Sequence, residues 1–251
     1  IKPISPFRDL RALGELIKVI RRLQPDIVHA HMSKAGLLGR LAARWCRVRV
    51  AMITAQGWGG FMTHFYQNKL KRRLLFWLEK LMIPFTDMVI LVARADEIKV
   101  LRMGLCPPEK FTVIHNGIVP ERFRVSVNRQ RKRAELGLNP DLPLAVTVGN
   151  LRPQKAPDDL VRAAARVQKE FGPVNFVVVG DGPLRENVQY LIDRFEISDH
   201  VRLLGYRGDI PEILASADIF VLPSIYEGLC IAILEAIAAG LTVRTTDIEE
   251  N

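Results

Sequence analysis

Three short stretches in the second half of the chain carry residues whose types and spacing suit a charged, hydroxyl-rich ligand. In GNLRPQK (149–155) an apolar run ends in a turn bearing Arg152 and Lys155. Two cations there can neutralise a diphosphate, Arg through a planar fork and Lys as a point charge. A solvated loop is the plain alternative. In GDGP (180–183) a tight turn between strand and helix carries Gly180 and Gly182. Glycines there let backbone approach a ligand closely.

The third stretch is SIYEGLCIAILEAIAAG (224–240), which places Glu227 at an expected helix start and Glu235 eight residues on. Eight helical residues rise roughly 12 Å, so these carboxylates cannot share a proton. They suit the two ends of an extended ligand. Glu227 with the amides of Gly228, Leu229 and Cys230 sets an acceptor beside several donors. That combination fits a sugar next to a phosphate. Glu235 lies in an apolar run where an unpaired charge is costly, and ribose hydroxyls or a buried arginine would each serve as its partner.

These residues need elements to hold them. Apolar runs at 26–31, 49–55, 88–93, 111–117, 144–150, 175–182, 201–205, 218–223 and 241–246 predict strands. Helical spacing predicts helices over 9–23, 33–46, 66–83, 94–103, 157–171, 184–195, 209–216 and 227–239. Near-continuous Val/Ile/Leu strands between helices indicate parallel sheets covered on both faces. The fold class is therefore α/β, with two Rossmann-like units that bind ligands at the carboxyl ends of their strands. The polar, basic stretch 124–142 reads as a linker between a domain at 1–123 and a second at 143–251.

The 251 residues, 49% hydrophobic and 25% charged, exclude a disordered, collagenous or coiled-coil chain. Three scattered cysteines, Cys46, Cys106 and Cys230, have no zinc or disulfide spacing and point to a reducing, cytoplasmic compartment. No run of about 18 uncharged apolar residues predicts a membrane span. The net charge of +9 is unevenly spread. Residues 1–122 carry 21 basic and 9 acidic side chains, whereas 143–251 carry 10 and 16. The basic excess lacks a nucleic-acid module and the ligand-like features lie in the acidic half, so nucleic acid is not an expected partner.

Taken in order, VGNLRPQK, VVVGDGPL and VRLLGYRGDIPEILASADIFVLPSIYEGLCIAILEAIAAG resemble the donor-binding domain of family 4 retaining glycosyltransferases, which have the GT-B fold. The first half is similar too, in DIVHAHMSKAGLLGRLAAR, TAQGWGG and VIHNGI. The whole is most similar to bacterial enzymes that build polysaccharide or lipid-linked oligosaccharide. The resemblance implies that Lys155, with a basic neighbour, binds the donor diphosphate. It also implies that Glu235 holds the nucleotide ribose and Glu227 the transferred sugar's hydroxyls. Gly149, Asn150, Arg152, Gly180, Gly182, Gly228, Leu229 and Cys230 would line the donor site, with Tyr206 and Arg207 near the base.

Where the family usually has G-R-L the chain has G-N-L, with Asn150 in place of arginine. Where it has T-x-H-G the chain has Thr54-Ala55-Gln56-Gly57, with Gln56 in place of histidine. Lys155, Glu227 and Gln56 are the implied catalytic residues, and His31 and Asn116 lie on the implied acceptor side. The donor would be a nucleotide-sugar, UDP-sugars favoured, with no metal or other cofactor. The acceptor would be a glycan or a lipid-linked sugar. The family's first strand and its closing helices have no counterpart, so both domains are expected to be incomplete. A non-catalytic nucleotide-sugar-binding fragment or scaffold, and a sugar-nucleotide epimerase, remain as alternatives.

His29 and His31 share a strand and are expected on opposite faces of it. In NKLKRRLLFWLEKLM (68–82) the spacing of Leu70, Leu74, Leu78 and Leu81 predicts a core-facing stripe. The same segment has a second reading. Lys69, Lys71, Arg72 and Arg73 precede Phe76 and Trp77, a mixture that suits an anionic membrane surface.

Overall fold

The computed structural model describes residues 5–56 and 69–248. Gly57, His64, the first residues of the helix expected over 66–83 and the tail after Ile248 lie outside the described residues. The chain divides after Asn116 into two compact units.

In the second unit, apolar β-branched runs form β5 (Leu144–Val148) and β6 (Asn175–Val179), almost wholly buried. They are joined by α6 (Pro157–Phe171), which carries proline and two aspartates in its first turn and is closed by Gly172 at φ 92°. The sequence continues through α7 (Arg185–Arg194), β7 (Val201–Gly205), α8 (Ile210–Ser216), β8 (Ile219–Leu222), α9 (Ile231–Ala238) and β9 (Thr242–Thr245). All strands are parallel, in the order β7-β6-β5-β8-β9. β5 and β8 are neighbours, and their onward connections leave toward opposite edges of the sheet. That adjacency is a topological switch point, where open α/β sheets bind ligands.

Asp218 fixes it. Its carboxylate accepts from Leu144 N at 2.7 Å, while its own N–H donates to Leu144 O at 2.9 Å. Arg133 Nη2 and Arg129 Nη2 reach the same carboxylate at 2.8 and 2.5 Å. These arginines stand on α5 (Arg129–Glu135), capped by the Asn128 side chain on Arg131 N. The stretch expected as a linker is thus part of the second unit. Phe123, Leu136 and Leu138 join its core, and Arg129, Lys132 and Arg133 serve as internal donors: Arg133 also bonds the carbonyls of Ser216 and Leu142. Polarity alone mislabels such a segment, because its arginines are spent on buried carbonyls rather than on water.

The first unit contains α1 (Pro6–Leu23), β1 (Ile27–His31), α2 (Ser33–Trp45), β2 (Val50–Ala55), α3 (Lys69–Met82), β3 (Met88–Leu91), α4 (Arg94–Arg102) and β4 (Phe111–Val113). Its described strands form a parallel sheet in the order β1-β2-β3-β4. α2 lies tight on it: a Cβ on Gly36 would sit 2.3 Å from Ile53 Cδ1, and one on Gly39 3.0 Å from Ala30 Cβ. Arg40, fully buried on the same helix, donates to Glu79 Oε2 at 2.6 Å, Gly36 O at 2.9 Å and Thr86 Oγ1 at 3.2 Å.

The pair sets the face of α3. Glu79 and Met82 are buried, and Leu75 and Phe76 pack on the core. The predicted stripe points the other way, with Leu70, Leu74 and Leu81 78%, 58% and 63% exposed. Two sets on α3 have helical spacing, and the set containing Glu79 goes inward because Arg40 needs its carboxylate.

Removing one partner of a buried pair leaves the other charge uncompensated, at about 3–5 kcal/mol. Arg40→Ala is therefore expected to destabilise by that much in urea denaturation, and Arg40→Met with Glu79→Leu by less. Burial works to raise the Asp218 pKa, but the Leu144 N–H and the two arginines overcome it and hold it below the ordinary value. A depressed carboxyl contributes stability that is present above its unfolded pKa and lost as pH falls through the folded one. Stability measured from pH 6 downward should therefore decline below about pH 4, and Asp218→Asn should flatten that decline while lowering the neutral-pH plateau.

Candidate functional site

The loops leaving β5 and β8 meet at the switch point. Ile225 N donates to Gln154 O at 2.8 Å, and Gln154 Nε2 donates to Tyr226 O at 3.0 Å. This stitch brings Lys155 and Glu227 together: Nζ donates to Oε1 at 2.5 Å, with side chains 19% and 7% exposed. Lys155 Nζ is also 3.5 Å from Cys230 Sγ, and Gln154 Nε2 is 3.4 Å from Glu227 Oε2. Lys155 ends a single 3-10 turn, Pro153–Lys155, and is followed by Ala156 at φ 44°. A non-glycine residue in the left-handed region is strained backbone held by its surroundings, here beside a charged site. Gly149, Asn150, Leu222 and Pro223 line a small cavity next to the ammonium, and Arg152 and Asn150 are exposed at its rim.

The helix expected from residue 227 begins at Ile231, with Cys230 as its N-cap. Glu227, Gly228 and Leu229 therefore belong to the loop, and their amides are not the first amides of a helix. The separation of the two glutamates also changes, because only Ile231–Glu235 is helical, a rise of about 6 Å. Glu235 is half-buried on α9. Burial raises its pKa, and the charge of Arg122 partly opposes the rise. No hydrogen bond to its carboxylate occurs among the described residues. Arg122 sits on the turn Pro120–Phe123, against α9. Its proximity could not be read from a segment assigned to the first domain.

The two glycines of GDGP are required by the packing of the protein itself. A Cβ on Gly180, at φ 128°, would sit 2.1 Å from Gly149 O, and one on Gly182 2.4 Å from Leu151 O. Both allow the β6 loop to lie on the β5 loop, where Leu151 N donates to Asp181 O at 3.1 Å. They shape the β5 loop from behind. Tyr206 is exposed. The Arg207 guanidinium is held by Asp209 through two bonds of 2.8 and 2.7 Å, and Lys132 Nζ joins the same carboxylate at 2.7 Å. Arg207 thus spends its fork on the protein and offers a ligand only its remaining surface.

In the first unit, His31 and Gln56 are both exposed at carboxyl ends, of β1 and β2 respectively, and Asn116 is half-buried after β4. His29 and His31 share one face, with ring centroids 4.4 Å apart, contrary to the expectation of opposite faces. Residues two apart on a strand point the same way. His29 Nε2 lies 2.8 Å from Thr54 Oγ1; burial, then the charge of His31, pushes its pKa down. Met32, next in the chain, has φ 66° and ψ 169°, a conformation almost confined to glycine.

Two family descriptions match the chain: Glycosyltransferase Family 4 over residues 2–122 and Glycosyl transferases group 1 over 128–251. The UDP-Gal:alpha-D-GlcNAc-diphosphoundecaprenol alpha-1,3-galactosyltransferase of Escherichia coli is 35% identical over 99% of the chain and 64% of its own length. The N,N'-diacetylbacillosaminyl-diphospho-undecaprenol alpha-1,3-N-acetylgalactosaminyltransferase of Campylobacter jejuni is 30% identical over 98% and 65%. The chain thus spans less than two thirds of the length of these relatives. Among solved structures, Anabaena HepE in complex with UDP and glucose superposes with a TM-score of 0.80 at 22% identity, covering 97% of this chain and 65% of that one. Sucrose-phosphate synthase from Thermosynechococcus elongatus gives 0.81 at 20%, covering 98% and 63%. With the two parallel sheets described above, these matches show that the chain belongs to the family 4 glycosyltransferases of GT-B fold.

Proposed function

We propose that the chain transfers a sugar from a nucleotide-sugar donor to a lipid-linked or glycan acceptor, with retention of anomeric configuration. The observation that carries this reading is the Lys155–Glu227 pair at the switch point, followed on α9 by the half-buried carboxylate of Glu235, which accepts no hydrogen bond among the described residues. A cation, a buried acceptor and a second acceptor further along match, in order, a diphosphate, a hexose and a ribose. Lys155 and exposed Arg152 meet the charge that grows on the leaving diphosphate, the place where fixed donors lower a barrier most. In this reading these cations and the loop amides do the work of a metal ion. UDP is the favoured nucleotide, because it stands in the name of the Escherichia coli relative and in the Anabaena complex. Lipid-linked acceptors are favoured because both bacterial relatives are named for diphosphoundecaprenol substrates. His31 and Asn116 are assigned to the acceptor side, and Gln56 to the vicinity of the transferred sugar.

The outward stripe of α3 supports a peripheral contact with an anionic membrane at its cytoplasmic face. Leu70, Leu74, Trp77 and Leu81 are exposed beside Lys69, Arg73 and Lys80. The Lys80 ammonium lies 5.6 Å from the Trp77 ring centroid. Apolar side chains framed by cations fit lipid headgroups and the acyl boundary beneath. Among the described residues no helix is long and apolar enough to cross a membrane. The three cysteines are free, as a reducing compartment requires.

Isothermal titration with UDP, GDP, ADP and their sugars, paired with a donor-hydrolysis assay, tests the reading. Absence of binding to every nucleotide would refute it, and binding without hydrolysis or transfer would assign the chain a non-catalytic role. Glu235→Gln should weaken nucleotide binding about 10–100-fold with the fold retained, the worth of hydrogen bonds to a charged acceptor. Because ribose hydroxyls prefer the carboxylate form, affinity should fall as pH drops through the raised Glu235 pKa, at a higher pH than for an exposed glutamate. In Glu235→Gln that dependence should vanish. Lys155→Met should lower transfer about 10²–10³-fold, and transfer by the intact protein should persist in EDTA. Co-sedimentation with anionic but not neutral liposomes is expected, and Leu74→Ser with Trp77→Ser should abolish it; absence from both pellets would remove the membrane contact.

A further inference from the structure

We infer that Glu227 makes the donor site select nucleotides that carry a sugar and drives out the bare nucleoside diphosphate; this rests on the donor-site reading above. Glu227 is buried, and its charge is balanced by Lys155 at 2.5 Å. Among the described residues its other oxygen receives a single long contact, from Gln154 at 3.4 Å. Lys155 is therefore shared between two claims, an internal carboxylate and an incoming diphosphate.

A diphosphate that engages the ammonium brings like charge close to a desolvated carboxylate. It also draws away the cation on which that carboxylate depends. Both effects are unfavourable, since a buried charge stripped of its partner is costly and juxtaposed like charges repel. A hexose attached to the diphosphate supplies the remedy in the same binding event. Its hydroxyls donate to Glu227 as the Lys155 bond loosens. Recognition of the sugar and of the diphosphate is thus coupled through one ion pair. After the sugar has gone to the acceptor, Glu227 loses its hydroxyl donors and recaptures Lys155, and the nucleoside diphosphate is released.

The geometry of the pair is held by bonds between the two loops that carry it. The Gln154–Ile225 and Gln154–Tyr226 bonds bring the two loops together, and strained Ala156 fixes the exit from the lysine turn. The site therefore returns to the paired state without rearranging the sheet.

The test is titration calorimetry on the intact chain and on Glu227→Gln, with UDP, GDP, ADP and their hexose conjugates. For the wild type, the nucleotide-sugar of the preferred base should bind at least about tenfold tighter than its bare diphosphate. In Glu227→Gln the bare diphosphate should bind about tenfold tighter than to wild type, and the preference for the sugar conjugate should nearly disappear. Equal wild-type affinities for the two ligands would overturn the inference. So would a Glu227→Gln variant, folded by circular dichroism, that binds the diphosphate no better than wild type. The wild-type comparison decides by itself if the variant does not fold. Failure of the donor-site reading looks different: neither the diphosphates nor their sugar conjugates would bind the wild type.

Discussion

The two-way bond between Asp218 and Leu144 is the contact on which the donor-side unit turns. It joins the entrances of β5 and β8, strands that are 74 residues apart at this point, by a main-chain bond in one direction and a side-chain bond in the other. Parallel pairing then runs from Ala145↔Ile219 toward the carboxyl ends. With the entrances joined, the exits have to lie side by side, and the loops at 149–155 and 223–230 share one crevice. Arg129 and Arg133 neutralise the aspartate and tie α5 to the same corner. Charge that looks like a solvated linker in one dimension is what makes the sheet's central junction affordable.

At the other end of those strands a second ion pair is built with the opposite purpose. Asp218 has several donors and is fully provided for. Among the described residues Glu227 has one cation, Lys155, and a long contact from Gln154, and Glu235 has no hydrogen-bonding partner. Under-provided carboxylates in a folded protein are unfavourable unless something else completes them. Hydroxyl groups complete them at low electrostatic cost, because they donate without bringing charge. Lys155 points the other way, toward anionic ligands. A site that mixes one cation with two under-provided acceptors is suited to a ligand that is anionic in one part and rich in hydroxyls in the rest.

The basic unit shows how a buried ion pair decides orientation more than stability. Arg40 and Glu79 join α2 to α3, with Thr86 and the Gly36 carbonyl taking the remaining donors. A pair of apolar residues of similar volume would hold the helices as well. The pair contributes rotation: α3 must turn Glu79 inward, so Leu70, Leu74, Trp77 and Leu81 face outward in a frame of lysine and arginine. The surface proposed to meet lipid follows from one carboxylate needing one guanidinium.

Much of this was legible in one dimension. The alternation of apolar runs and helical spacing located every described strand within a few residues, since periodicity and burial on both faces are local properties. Glu235 stood out as a charge in an apolar run, where charge needs a reason, and Lys155 as a cation at the end of a strand. What the sequence could not show is non-local. The pairing of Lys155 with Glu227, 72 residues away, depends on which strands become neighbours. The start of α9 at Ile231 depends on the loop before it being pulled toward Gln154. The need for glycine at 180 and 182 depends on how closely two loops stack. The choice between two helical stripes on α3 depends on where Arg40 lies. Composition and spacing determined that the chain is a parallel α/β protein with basic and acidic residues at strand ends. Only tertiary structure decided which of those residues meet, because hydrogen-bond register and the pairing of buried charge act between segments far apart in the chain.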